Sequence, residues 1–183
     1  RVSEASESAL STFIPLHHHT VLGVVMEEAM VRILAAGHGH TVIVADSETM
    51  RSFKEKMDTL STNVSMVSVD SLERANGIFE SDSFFLCFSP HGALSLAGTR
   101  NTDSDLERFS GGWSLKRKNA DAILNRLRQF GAVADGTILA AEQTPSCSED
   151  EENALGLELM AAHASAQALQ QESISQDKDD LFS

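Results

Sequence analysis

Thr41-Val42-Ile43-Val44-Ala45 is β-branched and apolar almost throughout. A strand of that continuity is buried on both faces, as a central strand covered by helices is. The sequence before it predicts a helix from a Thr20 cap to about Ala36. Val21, Val24, Val25, Met30, Ile33 and Leu34 recur there at helical spacing, and Glu27 and Glu28 share a polar face. Gly37-His38-Gly39 closes that helix with glycine where a left-handed cap is wanted. After the strand, Asp46-Ser47 can cap a second helix over about 48–60.

Further along, Val64-Ser65-Met66-Val67-Ser68-Val69 alternates, which predicts a half-exposed strand near an edge. A short helix-like stretch over 71–76 and Gly77 separate it from Phe84-Phe85-Leu86-Cys87-Phe88, a second continuously apolar strand. Beyond Ser89-Pro90-His91-Gly92, a fourth strand runs from Ala93 to Ala97 or Gly98. A polar loop over 101–108 leads through Phe109-Ser110-Gly111-Gly112-Trp113-Ser114 to an amphipathic helix, about Arg117 to Phe130. Ala120, Ile123, Leu124 and Leu127 face inward there, and Lys116, Arg117, Lys118, Arg126 and Arg128 form a basic outer face. A short segment, Thr137 to Glu142, can dock on the core.

This alternation is an α/β order. The expectation is one domain, in two or three layers, with a central sheet of about four to five strands, a C-terminal helix and a disordered acidic tail. Residues 1–12 read as a flexible Ser/Glu-rich start and residues 13–144 as the α/β domain. Residues 145–183 read as an acidic linker, a weak helix near 151–171 and an unstructured end.

The chain has 183 residues and a net charge of −13. Residues 145–183 hold nine acidic side chains and one basic, a net of −8, and the rest carries −5. An acidic body repels phosphate backbones and anionic membrane surfaces, so nucleic-acid and membrane partners are not expected. No apolar stretch approaches the ~20 residues that span a bilayer. Arg1 opens a polar segment without a signal-peptide pattern, which points to a processed chain, an omitted start or a piece of something longer. The two cysteines, Cys87 in an apolar strand and Cys147 in the polar tail, imply no disulfide framework. A reducing, cytoplasmic compartment follows.

Candidate sites compete with plainer roles. His17-His18-His19 and His38/His40, with Glu27 or Glu28, offer metal-ligand chemistry. Three adjacent histidines cannot all face one ion, however, and solvated or capping histidines are the preferred account, with no metal and no cofactor. Gly37-His38-Gly39-His40 precedes a strand instead of following one, which is the wrong order for a dinucleotide loop. Ser89 and His91 stand just past a buried strand, where open sheets place ligands, but without a nucleophile elbow. Asp46 can meet a ligand hydroxyl or simply cap its helix. The basic face over 116–128 can bind phosphate, an acidic peptide or the chain's own acidic tail. Catalytic residues are not assigned.

The segment from about 22 to 128 resembles the DICT sensory domain of bacterial diguanylate cyclases, two-component proteins and related regulators. Three stretches carry the resemblance: Leu22-Gly23-Val24-Val25-Met26-Glu27-Glu28; Phe84 to Leu94 followed by Ser95 to Arg100; and Phe109-Ser110-Gly111-Gly112-Trp113-Ser114-Leu115 ahead of a terminal helix. The resemblance implies a signal-sensing α/β module without chemistry of its own, whose Trp113 packs beneath the helix that follows it.

The expected function is therefore a non-catalytic sensory or regulatory module in signal transduction. It would bind a small molecule or a regulatory protein around Asp46, Ser89, His91 and Trp113, and it could work as a homodimer. An alternative is an interaction or assembly factor working through Asp179-Asp180-Leu181-Phe182, an acidic end with apolar residues suited to a basic groove. A second alternative is a metal-dependent enzyme using the histidines.

Overall fold

The computed structural model describes residues 13–57, 63–69, 83–101 and 108–182. The start of the chain, the helix-like stretch expected over 71–76 and the interior of the loop expected over 101–108 lie outside the described residues.

The chain forms β1 (Ile14–His18), α1 (His19–Ala35), β2 (Thr41–Asp46), α2 (Ser47–Lys56), β3 (Val64–Val69), β4 (Ser83–Ser89), β5 (Gly92–Asn101) and β6 (Arg108–Ser114). Three helices follow: α3 (Arg117–Gln129), α4 (Asp135–Gln143) and α5 (Glu149–Phe182). The six strands make one open sheet in the order β1-β6-β5-β4-β2-β3. Neighbours are antiparallel except β2 and β3, which are joined through α2 and run parallel.

The continuously apolar stretches are the interior strands. Every residue of β2 and of β4 is buried, while the alternating β3 lies at the sheet edge and is mostly part-exposed. Helices cover both faces. On one face α1, α2 and α5 pack Val25, Met30, Phe53 and Leu159 against Ile43, Phe85, Leu94, Leu96 and Trp113. On the other, Ile123, Leu124 and Leu127 of α3 and Ile138 of α4 cover Val42, Val44, Leu86 and Phe88. A strand buried on both sides must be apolar at every position, which is why these runs do not alternate.

The sheet has six strands, more than the four to five expected. β1 is disguised by Pro15 and the histidines, and β6 by Gly111-Gly112, residues that weaken a strand signal. Pro15 is tolerated because β1 is an edge strand, with one side free of ladder partners. Gly112 is required: a Cβ there would come within 2.7 Å of the Ile14 carbonyl oxygen.

Three local expectations are corrected. The first helix is entered from His18, whose side chain makes no capping bond, and not from Thr20, because β1 feeds straight into it. The second helix ends at Lys56, short of residue 60. The last helix runs to Phe182, past Gln171 and through the stretch whose composition predicts an unstructured tail. Residues 172–182 contain neither Gly nor Pro, so nothing in the sequence terminates the helix, and residues 172–181 are exposed nearly all round. At the other end of α1, Gly37 adopts φ 76 as expected of a left-handed cap, and its N–H meets the Leu34 carbonyl at 3.2 Å.

Candidate functional site

The four residues expected to share a pocket are spread across the sheet. Asp46 ends β2 beside Phe84, while Ser89 ends β4 at the opposite edge of the same strand pair. The five residue steps from Phe84 to Ser89 separate them by about 17 Å at the rise of a strand. Trp113 lies on β6, opposite Leu96 of β5 and two strands from β4.

Asp46 is 2% exposed, and both of its oxygens are engaged. Oδ2 accepts the Thr49 N–H at 3.1 Å, capping α2, and Oδ1 accepts the Phe84 N–H at 2.9 Å, tying that cap to β4. The side chain is thus used internally, as a cap that also stitches two elements. Ser89 is similarly committed, its Oγ accepting the His91 N–H at 3.2 Å across the turn between β4 and β5. In this geometry Ser89 shapes a turn and is not paired with the His91 ring as a nucleophile.

The His91 ring reaches the other way. Its Nε2 donates to the His38 carbonyl at 2.6 Å, and Nδ1 lies 3.9 Å from Glu151 at the start of α5. His40 Nε2 is 2.9 Å from Ser65 Oγ. Together His38, Gly39, His40, Pro90, His91 and Gln143 line a cleft of about 520 Å³. Gly39 belongs to it for two reasons: φ is 97, and a Cβ would approach Pro90 Cγ to 2.6 Å. The rings of His40 and His91 are tied to a hydroxyl and a backbone partner, and among the described residues no group of three or more His, Cys, Asp or Glu is placed to hold a metal ion. Glu28, considered as a supporting ligand, instead pairs with Arg32 at 2.8 Å.

A second cleft, of about 420 Å³, opens beside Trp113. Ile14, Trp113, Leu115, Gly156, Leu157 and Met160 supply its apolar wall. Ser114, Lys116, Glu152 and Asn153 supply its polar positions, and Lys116 Nζ meets Glu152 Oε2 at 3.1 Å. The wall is built mainly from two elements distant in sequence, the end of β6 and the first turns of α5, with Ile14 of β1 beside them. Gly156 leaves room at their junction, its nearest neighbour being Leu115 Cδ1 at 3.8 Å from a Cβ built there. Leu157 and Met160 remain 75% and 48% exposed, so the lip of this cleft is an apolar surface.

Trp113 itself is buried at 1%, with its indole N–H donating to His163 Nδ1 at 3.1 Å. It therefore packs beneath α5, on the face opposite α3, although α3 is the helix that follows it directly. Burial pushes the His163 imidazole below its ordinary value, and His17 nearby adds to the shift. The neutral ring so favoured has the lone pair that an indole donor needs. Leu155 and Leu159 anchor the same helix at 8% and 0% exposure. Each is worth about 1.5–3 kcal/mol of burial, against about 1 kcal/mol for a hydrogen bond, so the leucines decide whether the start of α5 docks.

No family model, curated protein or solved structure matches the chain.

The basic face expected on α3 is partly spent on the protein itself. Arg117 Nη1 donates to the Thr144 carbonyl at 2.9 Å, Nη2 to the Ala141 carbonyl at 2.6 Å and Nε to Asp121 at 3.0 Å. Its guanidinium also lies 5.0 Å over the Phe88 ring. Arg117 thus satisfies the carbonyls at the end of α4, and Lys116 takes an acidic partner from α5. Of the expected partner-binding residues, Asp179, Asp180 and Leu181 are exposed on the last turns of α5.

Reading the sequence missed His163, Gly156, Leu157 and Met160. Each sits in an Ala/Leu/Gln-rich helix with no sharp apolar stripe, and the partners that give them meaning lie some forty to fifty residues away. The available signal was the Leu155/Leu159 pair at helical spacing, with His163 one turn on.

Proposed function

We propose that this chain is a non-catalytic regulatory module that binds a small, largely apolar molecule in the cleft beside Trp113. The observation that supports this is the make-up of the cleft: about 420 Å³ of mainly apolar wall with four polar positions near Lys116 and Glu152. Small-molecule sites have that size and that balance of apolar wall to few polar groups. A ligand seated there would touch the sheet and α5 together, and would bias the helix only as far as it prefers one arrangement. The cytoplasmic signalling role belongs to this reading, with Trp113 as its principal residue and Asp46, Ser89 and His91 as supports of the fold.

The test is native mass spectrometry and dye binding on untagged protein, using the apolar fluorophore 8-anilinonaphthalene sulfonate as probe. Wild type is expected to carry a small molecule or to bind the dye, and Gly156→Leu, which fills the junction, to lose at least tenfold in dye affinity. Equal dye binding by a folded Gly156→Leu protein sinks the reading.

A second reading, interaction with a partner protein through Asp179-Asp180-Leu181-Phe182, is favoured by the 82% exposure of Leu181. Truncation after Gln171 separates the two: it abolishes partner capture on this reading and leaves dye binding intact on the first.

A further inference from the structure

Helix α5 is held in two unlike ways. Its first turns are anchored by Leu155 and Leu159 in the core, whereas farther on the described residues are at most part-buried, His163 and Ala166 among them. Trp113 and His163 share the 3.1 Å hydrogen bond and a tilted ring contact, with centroids 6.2 Å apart at 54°.

We propose that the Trp113–His163 hydrogen bond is a latch opened by a proton, which holds α5 from His163 onward against the sheet and releases that part on acidification. An indole N–H can only donate, and Nδ1 can accept only while the imidazole is neutral. On the imidazolium both nitrogens carry hydrogen, so a donor faces a donor at 3.1 Å and the contact becomes repulsive. Leu155 and Leu159 do not titrate, so they stay docked and serve as the pivot.

The surroundings favour this outcome. From β1, His17 acts on His163 and disfavours its charge. From β6 the facing group is Trp113, and β5 contributes the apolar Leu94 and Leu96 to the same core. From α1, Arg32 reaches α5, pairing with Glu158 at 2.6 Å, more than one turn before His163, and with Glu28 on its own helix at 2.8 Å. Burial and His17 together hold the docked imidazole below its ordinary 6.5. The docked form therefore binds its proton less readily than the released form. Docking is at full strength above pH 6.5, weakens as pH falls from there through the docked value, and levels off below it. One proton sets the slope at no more than about tenfold per pH unit. The latch does not require that the cleft hold a ligand.

Trp113 is the chain's single tryptophan, so its emission reports the latch directly. The experiment is a fluorescence titration of the full chain from pH 8 to 5, with amide hydrogen exchange compared with His163→Gln at each pH. In the wild type, exchange is expected to quicken over 166–182 on acidification while 153–159 stays protected. In His163→Gln the amide oxygen accepts at every pH, so the emission change and the quickening should both vanish. His17→Asn removes the neighbouring imidazole that disfavours charge on His163 and should move the wild-type midpoint upward. A His163→Gln protein that keeps the transition, a wild type with none, or a His17→Asn midpoint that stays or falls overturns the proposal.

Discussion

The Asp46 carboxylate receives the Phe84 backbone N–H at 2.9 Å inside the protein, linking the start of α2 to the strand that neighbours β2. The same group caps α2 through Thr49, so one side chain fixes both the turn out of β2 and its register with β4. Asp46→Ala removes two bonds to a charged acceptor and orphans a buried N–H. A loss of about 3 kcal/mol is expected, read as a fall in denaturation midpoint. Asp46→Asn should lose less, because its oxygen still caps. An Asp46→Ala protein of unchanged stability would mean that the side chain is held for a ligand instead.

Arg117 predicts a difference between two substitutions usually considered similar. Its planar fork reaches two carbonyls and Asp121 while stacking on Phe88. Lysine supplies one point charge and cannot reproduce that geometry. Arg117→Lys is therefore expected to cost at least about 1 kcal/mol of stability, with amide exchange quickened first in α4. Equal chemical denaturation curves for the two proteins would refute the assignment.

Two glycines near the Trp113 cleft should behave oppositely. Gly156→Ala meets only Leu115 at van der Waals distance and replaces a poor helix former, so it should stabilise by about 0.5–1 kcal/mol. Gly112→Ala would push a Cβ against the Ile14 carbonyl, and backbone cannot yield as a side chain does. It should destabilise by about 1–3 kcal/mol and detach β1. Thermal unfolding ranks the two variants, and exchange at residues 14–18 locates the damage.

The cysteines differ in accessibility. Burial pushes the Cys87 thiol up to about 12, and burial with Glu152 and Glu151 raises Cys147 as well. The thiolate is the reactive form. In native protein at pH 8, a disulfide reagent should modify Cys147 slowly and Cys87 only after unfolding. The sign for stability follows. Above pH 9 the unfolded chain releases the Cys87 proton that the folded chain retains, so folding weakens from there towards pH 12. Rapid modification of both thiols in native protein would contradict the burial of Cys87.

What was legible in the chain was local. The uninterrupted apolar runs at 41–45 and 84–88 identified two interior strands, and the alternation at 64–69 placed a third near an edge, as it is. Helical spacing at 117–130 located α3 and its inward leucines within a residue. β1 and β6 escaped because proline, histidine and glycine suppress the strand signal, and pairing between residues about a hundred positions apart leaves no trace in either segment alone.

The candidate site was less legible than the fold. Trp113 was expected at a ligand site and, by the resemblance, beneath the helix that follows it, whereas its partner His163 depends on where α5 crosses the sheet, and that is decided by the fit of Leu155 and Leu159 into the core. Asp46, Ser89 and His91 look alike in sequence, each following a strand or starting a turn. Antiparallel pairing of β2 with β4 sends Asp46 to one end of the sheet and Ser89 and His91 to the other. Sequence by itself determined α1, α2 and α3, the strands β2 to β5 and the acidic balance, because propensity, periodicity and charge are properties of neighbouring residues. Strand order, the side of the sheet each helix covers and the meeting of Trp113 with His163 were decided only by tertiary structure, since they arise when distant segments bury their apolar faces against one another.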